Sequence, residues 1–184
     1  MPYEAVLRWP MLAMLVLAAV LDVTSRRIPN WLTAPMALIG LAWSFWPQSG
    51  LTPWLALAGL GVGLGLGLVM FVLGAMRGGD AKLLAAVGAW VGPLGALKVF
   101  AAAAIVGLVV AVIQAAWQGR LMALLRNVWT LTLGMLWIRL LGRRTLQEIG
   151  QGYRSVGRPL PYAVPVLIAA AAVVCVPQLA GDWW

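Results

Sequence analysis

Five residues of this 184-residue chain are Asp or Glu. Glu4 and Asp182 lie near the ends, and Glu148 stands among arginines. That leaves Asp22 and Asp80, each adjoining a long apolar stretch. Two carboxyls that face each other repel when both are ionised, so one holds its proton near neutral pH. The ionised member can then take a proton from water while the protonated member polarises a carbonyl. That is the hydrolysis of an aspartic peptidase. The same pair could instead bind a cation or relay protons in a small transporter, and residue types alone leave both open. Taken singly, each acid also has a plainer use. Asp80 follows Gly78 and Gly79 and precedes "AKLLAAV", as a helix N-cap does, and Asp22 reads as an interfacial acid balanced by Arg26 and Arg27. Gly78 and Gly79 would let a substrate backbone come close beside Asp80.

The residue types that are missing narrow the chemistry further. The chain has no His and one cysteine, Cys175, inside an apolar run. Ser–His and Cys–His nucleophile pairs, His-based or Cys-based metal sites and a disulfide within the chain are therefore excluded. Neither a metal nor a cofactor is expected.

The elements that must carry Asp22 and Asp80 follow from the composition. Hydrophobic residues make up 63% of the chain and charged residues 10%, with a mean hydropathy of +0.94. A soluble domain has about 45–50% and about 25%, so this chain cannot hide its apolar surface from water, and its solvent is lipid. In lipid every backbone polar group is paired within the protein, which leaves helices or a closed barrel. The apolar runs are long and do not alternate, which selects helices. The reading is an all-α, polytopic integral membrane protein that forms a single transmembrane domain over 1–184. Apolar spans fall at 5–23, 30–46, 51–75, 83–92, 94–117 and 160–180. Trp9, Trp31, Trp46, Trp54 and Trp117 lie near span ends, as headgroup anchors do. Gly59, Gly63 and Gly67 repeat every four residues in the third span, a spacing that lets helices pack closely. No strand precedes this stretch and no Lys-Ser/Thr follows it, so it is not a phosphate loop.

Residues 118–159 carry seven arginines, Arg120, Arg126, Arg139, Arg143, Arg144, Arg154 and Arg158, among apolar residues. They read as one or two basic amphipathic helices on the membrane surface; a further span at 121–141 is the alternative. The net charge of +8 fits topology and anionic lipid rather than nucleic acid. If the first span runs from outside to inside, eleven cationic residues face the cytoplasm and only Arg8 and Lys98 face out. Six spans with both termini outside follow from that count. Asp22 and Asp80 then share one depth at the cytoplasmic side.

Three segments carry a family resemblance. "LDVTSRRIPNWLT" (21–33) resembles the first active-site segment of the type IV prepilin peptidases, in which an Asp at a helix end is followed by a basic turn and Ile-Pro-Asn. "RGGDAKLLAAVGAWVG" (77–92) resembles their Gly-x-Gly-Asp-x-Lys segment, whose core is shared with intramembrane aspartyl proteases of the presenilin type. "RPLPYAVPVLIAA" (158–170) is similar to their last helix with its Pro-Tyr-Ala opening. The segments lie in family order and span nearly the whole chain. The resemblance implies an endopeptidase of the bacterial inner membrane that removes the basic leader of type IV pilin or pseudopilin precursors at the cytoplasmic face. Pilus assembly machinery is a further partner it makes possible. Asp22 and Asp80 would be the catalytic pair, Gly78 and Gly79 the active-site turn, and Lys82 the motif lysine, with local charge balance as its role. Arg77 stands where the first motif glycine would be. The chain lacks the four-Cys domain of the larger, bifunctional members. It resembles the short branch associated with Flp/Tad-type tight-adherence pili, which implies peptidase activity without N-methyltransferase activity.

Overall fold

The computed structural model describes residues 9–73, 76–117, 119 and 162–175. Apart from Gly119, the arginine-rich stretch 118–159 lies outside them, as does the alternative span at 121–141. Among the described residues all regular structure is helical. There are five α-helices: α1 Trp9–Ser25, α2 Asn30–Trp43, α3 Pro53–Val72, α4 Gly78–Trp117 and α5 Ala163–Cys175. A single 3-10 turn, Pro47–Ser49, joins α2 to α3.

The helix limits have local causes. Pro29 is extended (φ −73°, ψ 146°) and occupies the cap position of α2 rather than its first turn, so the helix starts at Asn30. The same helix stops at Trp43, short of the expected 46. Beyond it the Ser44 hydroxyl donates to the Leu41 carbonyl (2.6 Å) and Pro47 lies ahead. At the start of α3, Thr52 Oγ1 accepts the Leu55 N–H (3.4 Å) and Pro53 fills the first position. The break expected at 91–93 falls at Gly92, where φ of 71° and ψ of −179° interrupt α4 ahead of Pro93. An L-residue with a side chain adopts that conformation only under strain.

The chain is divisible into two compact units, residues 1–107 with 161–184 and residues 108–160. The described part of the second is the last stretch of α4 and Gly119. In the first unit the leading arm of α4 is central, and every residue from 83 to 92 is buried. It is apolar on all sides, as a helix enclosed by others is. On one side α3 lays Gly59, Gly63 and Gly67 along it. A Cβ at Gly59 would collide with the Gly88 carbonyl, one at Gly63 with the Leu84 carbonyl, and one at Gly67 would stand 2.6 Å from Ala81 Cα. The expected glycine stripe is thus the α3–α4 interface, with backbone against backbone. On another side α2 meets α4 through Trp90. The indole Nε1 donates to the Met36 carbonyl (2.9 Å), and the ring stacks on Trp43 at 6.2 Å between centroids. α1 packs on α2 and along α5, and Met11, Leu15, Ala18, Val166 and Ala170 join the core there.

A Cβ at Gly107 would lie 4.0 Å from Pro165 Cγ, near the start of α5, whereas Gly92 abuts Leu51 at the far end of α3. The chain therefore turns back at Gly92, and the second arm of α4 returns towards the end from which the first arm set out.

Two helical stretches, Pro53–Val72 and Gly78–Gln114, are long and apolar enough to cross a membrane, and Trp9–Ser25 and Ala163–Val174 are shorter apolar helices. Val16, Val20, Leu38, Leu68, Val69 and Ile105 point outwards and are exposed. Such a surface is solvated by acyl chains, not water, and the protein is membrane-embedded. All five tryptophans expected at span ends are exposed.

Candidate active site

Asp22 lies in the last turn of α1 and is only 3% exposed. Its Oδ2 accepts the backbone N–H of Ala163 (3.0 Å), the first residue of α5. The first amides of a helix have no partner within it and carry its positive dipole end, so they suit a carboxylate. The arginines expected to balance Asp22 are both exposed, and its described partner is the start of another helix.

Asp80 is 5% exposed and is the third residue of α4. The expectation of an N-cap is corrected here. Gly78 and Gly79 are already helical, so the cap position falls to Arg77. Asp80 reaches back one turn, and its Oδ2 accepts the Arg77 N–H (3.1 Å). In return the Arg77 carbonyl accepts the N–H groups of Asp80 (3.1 Å) and Ala81 (3.2 Å). This is the acidic half of a capping box, made by Asp in place of Glu.

The segments that carry the two acids come together: the Asp22 carboxylate is bonded to Ala163, and Arg77, whose N–H holds Asp80, reaches across to Arg26. Three segments remote in sequence (22–30, 76–82 and 162–163) thus meet at one end of the bundle. Further ties hold the first two against each other. Arg77 Nη1 donates to the Arg26 carbonyl (3.0 Å) and Lys82 Nζ to Asn30 Oδ1 (2.9 Å). Gly79 faces Ile28 so closely that a Cβ would stand 3.3 Å from Ile28 Cβ. Of the expected turn glycines, Gly79 lies at this junction, whereas Gly78 faces Phe71 on α3. The Lys82 ammonium is bonded to the Asn30 amide.

Beside Lys82 an open cleft of about 300 Å³ runs between α2, α3 and α4. Asn30 and Lys82 form its polar end, and Thr33, Ala37, Leu64 and Ala85 line it. The cleft opens between apolar helices. Among the described residues no group of three His, Cys, Asp or Glu is placed to hold a metal ion.

Sequence reasoning placed Asp22, Gly79, Asp80 and Lys82 in this region but did not single out Tyr162 or Ala163. The Pro-Tyr-Ala opening was the available signal. The group that matters in Ala163 is a backbone N–H, which any residue but proline carries, so its partner is visible only in the fold.

Comparison with known proteins yields one match. The model of the type IV leader peptidase family fits residues 9–112, from the start of α1 through most of α4 and including Asp22 and Asp80. No curated protein and no solved structure matches the chain significantly.

Proposed function

The chain belongs to the type IV leader peptidase family, and from that premise we propose that it is an aspartic endopeptidase that removes the basic leader of type IV prepilins or pseudopilins. The observation that carries the reading is the burial of Asp22 and Asp80 in two segments, 22–30 and 76–82, that are bonded to each other at one end of the bundle. Both lie inside the matched segment. In our reading one carboxylate takes a proton from a water molecule, and the water oxygen bonds to the scissile carbonyl carbon. The other carboxyl gives its proton towards the carbonyl oxygen. Collapse of the tetrahedral adduct breaks the C–N bond, and the amine leaves with a proton from the pair. The new N-terminus and the leader's carboxyl are the products. Lys82 and Asn30 close the polar end of the cleft, and the precursor's apolar helix lies along its apolar walls.

The setting we assign is the cytoplasmic side of a bacterial inner membrane, crossed six times. The two arms of α4 count separately because the chain reverses at Gly92, and α1, α2, α3 and α5 supply the rest. Arg26, Arg27, Arg77 and Lys82 lie in the segments that meet around the acids, which makes that end the inner one. We assign leader removal without methylation, as in the short branch that serves Flp/Tad-type pili.

The test is cleavage by purified protein in lipid of a full-length precursor from the same cell, followed by mass. Asp22→Asn and Asp80→Asn should each reduce the rate by at least about a hundredfold with thermal stability kept. Cleavage that persists in either variant, or an inactive parent, defeats the assignment. Proton or cation flux through the parent would then favour a transporter built on the same two acids.

A further inference from the structure

Arg77 is exposed and carries no apolar burial, yet four hydrogen bonds meet at it. Its N–H holds the Asp80 carboxylate at 3.1 Å, and its carbonyl accepts two amides of the first turn of α4. Its guanidinium crosses to the other chain segment and donates to the Arg26 carbonyl at 3.0 Å, fifty-one residues away in sequence. Arg26 is the only residue other than glycine with positive φ among the described residues (53°). That conformation is strained for a residue with a Cβ. It directs the Arg26 carbonyl out of the α1 ladder, while the Arg26 N–H still closes the last turn on the Asp22 carbonyl (2.9 Å). A continuous path of three hydrogen bonds therefore runs from the Asp22 backbone through Arg26 and Arg77 to the Asp80 carboxylate.

We propose that Arg77 is a positioning residue that latches the end of α1 to the start of α4 and so fixes the separation of Asp22 and Asp80. The inference rests on the peptidase reading for its effect on rate but not for the latch itself. Arginine suits the task because its planar fork of donors reaches a carbonyl with little freedom left to lose. The only other side-chain hydrogen bond between these segments among the described residues is Lys82 to Asn30, one turn further into the bundle. Glycine, which the resembling segments carry at this position, leaves the Arg26 carbonyl to water. In that case the last turn of α1 keeps its bond to α5 at Asp22 but loses its side-chain tie to the start of α4.

Arg77→Gly, Arg77→Ala and Arg77→Lys decide the matter through two readouts. Both Gly and Ala keep the backbone bonds to Asp80 and remove the guanidinium. In the precursor cleavage assay kcat should fall about ten- to a hundredfold, the scale of a misplaced reacting group. KM should stay within about twofold, and Arg77→Lys should regain part of the loss. Hydrogen exchange in lipid should quicken at amides 24–28 in the Gly and Ala variants, while amides 83–92 in the buried arm of α4 stay protected. Parent-like kcat in Arg77→Gly, a loss confined to KM, or unchanged exchange at 24–28 overturns the latch. A parent that cuts no precursor defeats the peptidase reading, and the exchange experiment still decides the latch.

Discussion

Asparagine and alanine at Asp22 and Asp80 ask different questions. An Asn oxygen can still accept the Ala163 N–H or the Arg77 N–H but cannot ionise. Alanine removes the acceptor as well: at Asp22 it leaves the buried Ala163 N–H unpaired, at a cost of about 1–3 kcal/mol, and at Asp80 it removes the carboxylate that caps the part-buried Arg77 N–H, at a cost of about 1 kcal/mol. The alanine variants should therefore lose both activity and melting temperature, and the asparagine variants activity alone. A calorimetric scan beside the cleavage assay separates the two. Gly79 has a different margin. A Cβ there would sit 3.3 Å from Ile28, a few tenths of an ångström too close, so Gly79→Ala should slow cleavage while folding normally. Gly79→Leu, which would force segments 22–30 and 76–82 apart, should abolish cleavage, and a Gly79→Leu protein that cuts at the parent rate would show that their contact does not matter. The acids themselves were legible in the sequence because a chain with five of them offers few candidates. The role of Asp80 within its helix was not. Two glycines read as turn, yet both are helical, and the cap moved to Arg77. The partner of Asp22 was hidden for another reason, since an amide at the start of α5 has no letter of its own.

At the scale of elements, the glycine spacing in α3 and the Gly-Pro break in α4 were both readable, because each acts through backbone sterics that depend on few neighbours. The start of α2 at Asn30 was matched, but the end of α2, both ends of α3 and the start of α4 fell two to five residues from the expected limits, because such ends turn on single bonds such as Ser44 to Leu41. The α3–α4 interface gives a paired prediction. Gly63→Ala places a methyl against the Leu84 carbonyl, whereas Gly65→Ala on the same helix meets nothing within 4 Å. Overpacking against backbone costs about 1–3 kcal/mol, and an open helical Gly→Ala change is neutral or stabilising by up to about 1 kcal/mol. Gly63→Ala should lower the melting temperature in lipid and Gly65→Ala should not. Equal effects would mean that α3 does not pack on α4 through this face. Gly92→Ala belongs with the first of these, since an alanine at φ of 71° is strained whatever the space around it.

For the whole molecule the decisive question is which way the site faces. Segments 22–30 and 76–82 gather Arg26, Arg27, Arg77 and Lys82 around the acids, while the turn between α2 and α3 at the other end, 44–52, has no charged residue at all. Cationic loops stay on the cytoplasmic side, and the leader of the proposed substrate would be made there, so the proposed orientation makes one demand on both. Two single-cysteine proteins in a Cys175→Ala background test it. Thr24→Cys marks the exposed end of α1 beside the site, and Phe45→Cys the exposed end of α2 away from it. A membrane-impermeant maleimide should label position 45 in whole cells with the outer membrane opened, and position 24 only in inverted vesicles. The reverse pattern would put the acids on the outer face, out of reach of a leader that has not crossed the membrane. Labelling of both positions from one side would mean that α1 or α2 does not cross. In either case the six-crossing topology would fall, while the packing of Asp22 against α5 and of Asp80 in the first turn of α4 would stand unchanged.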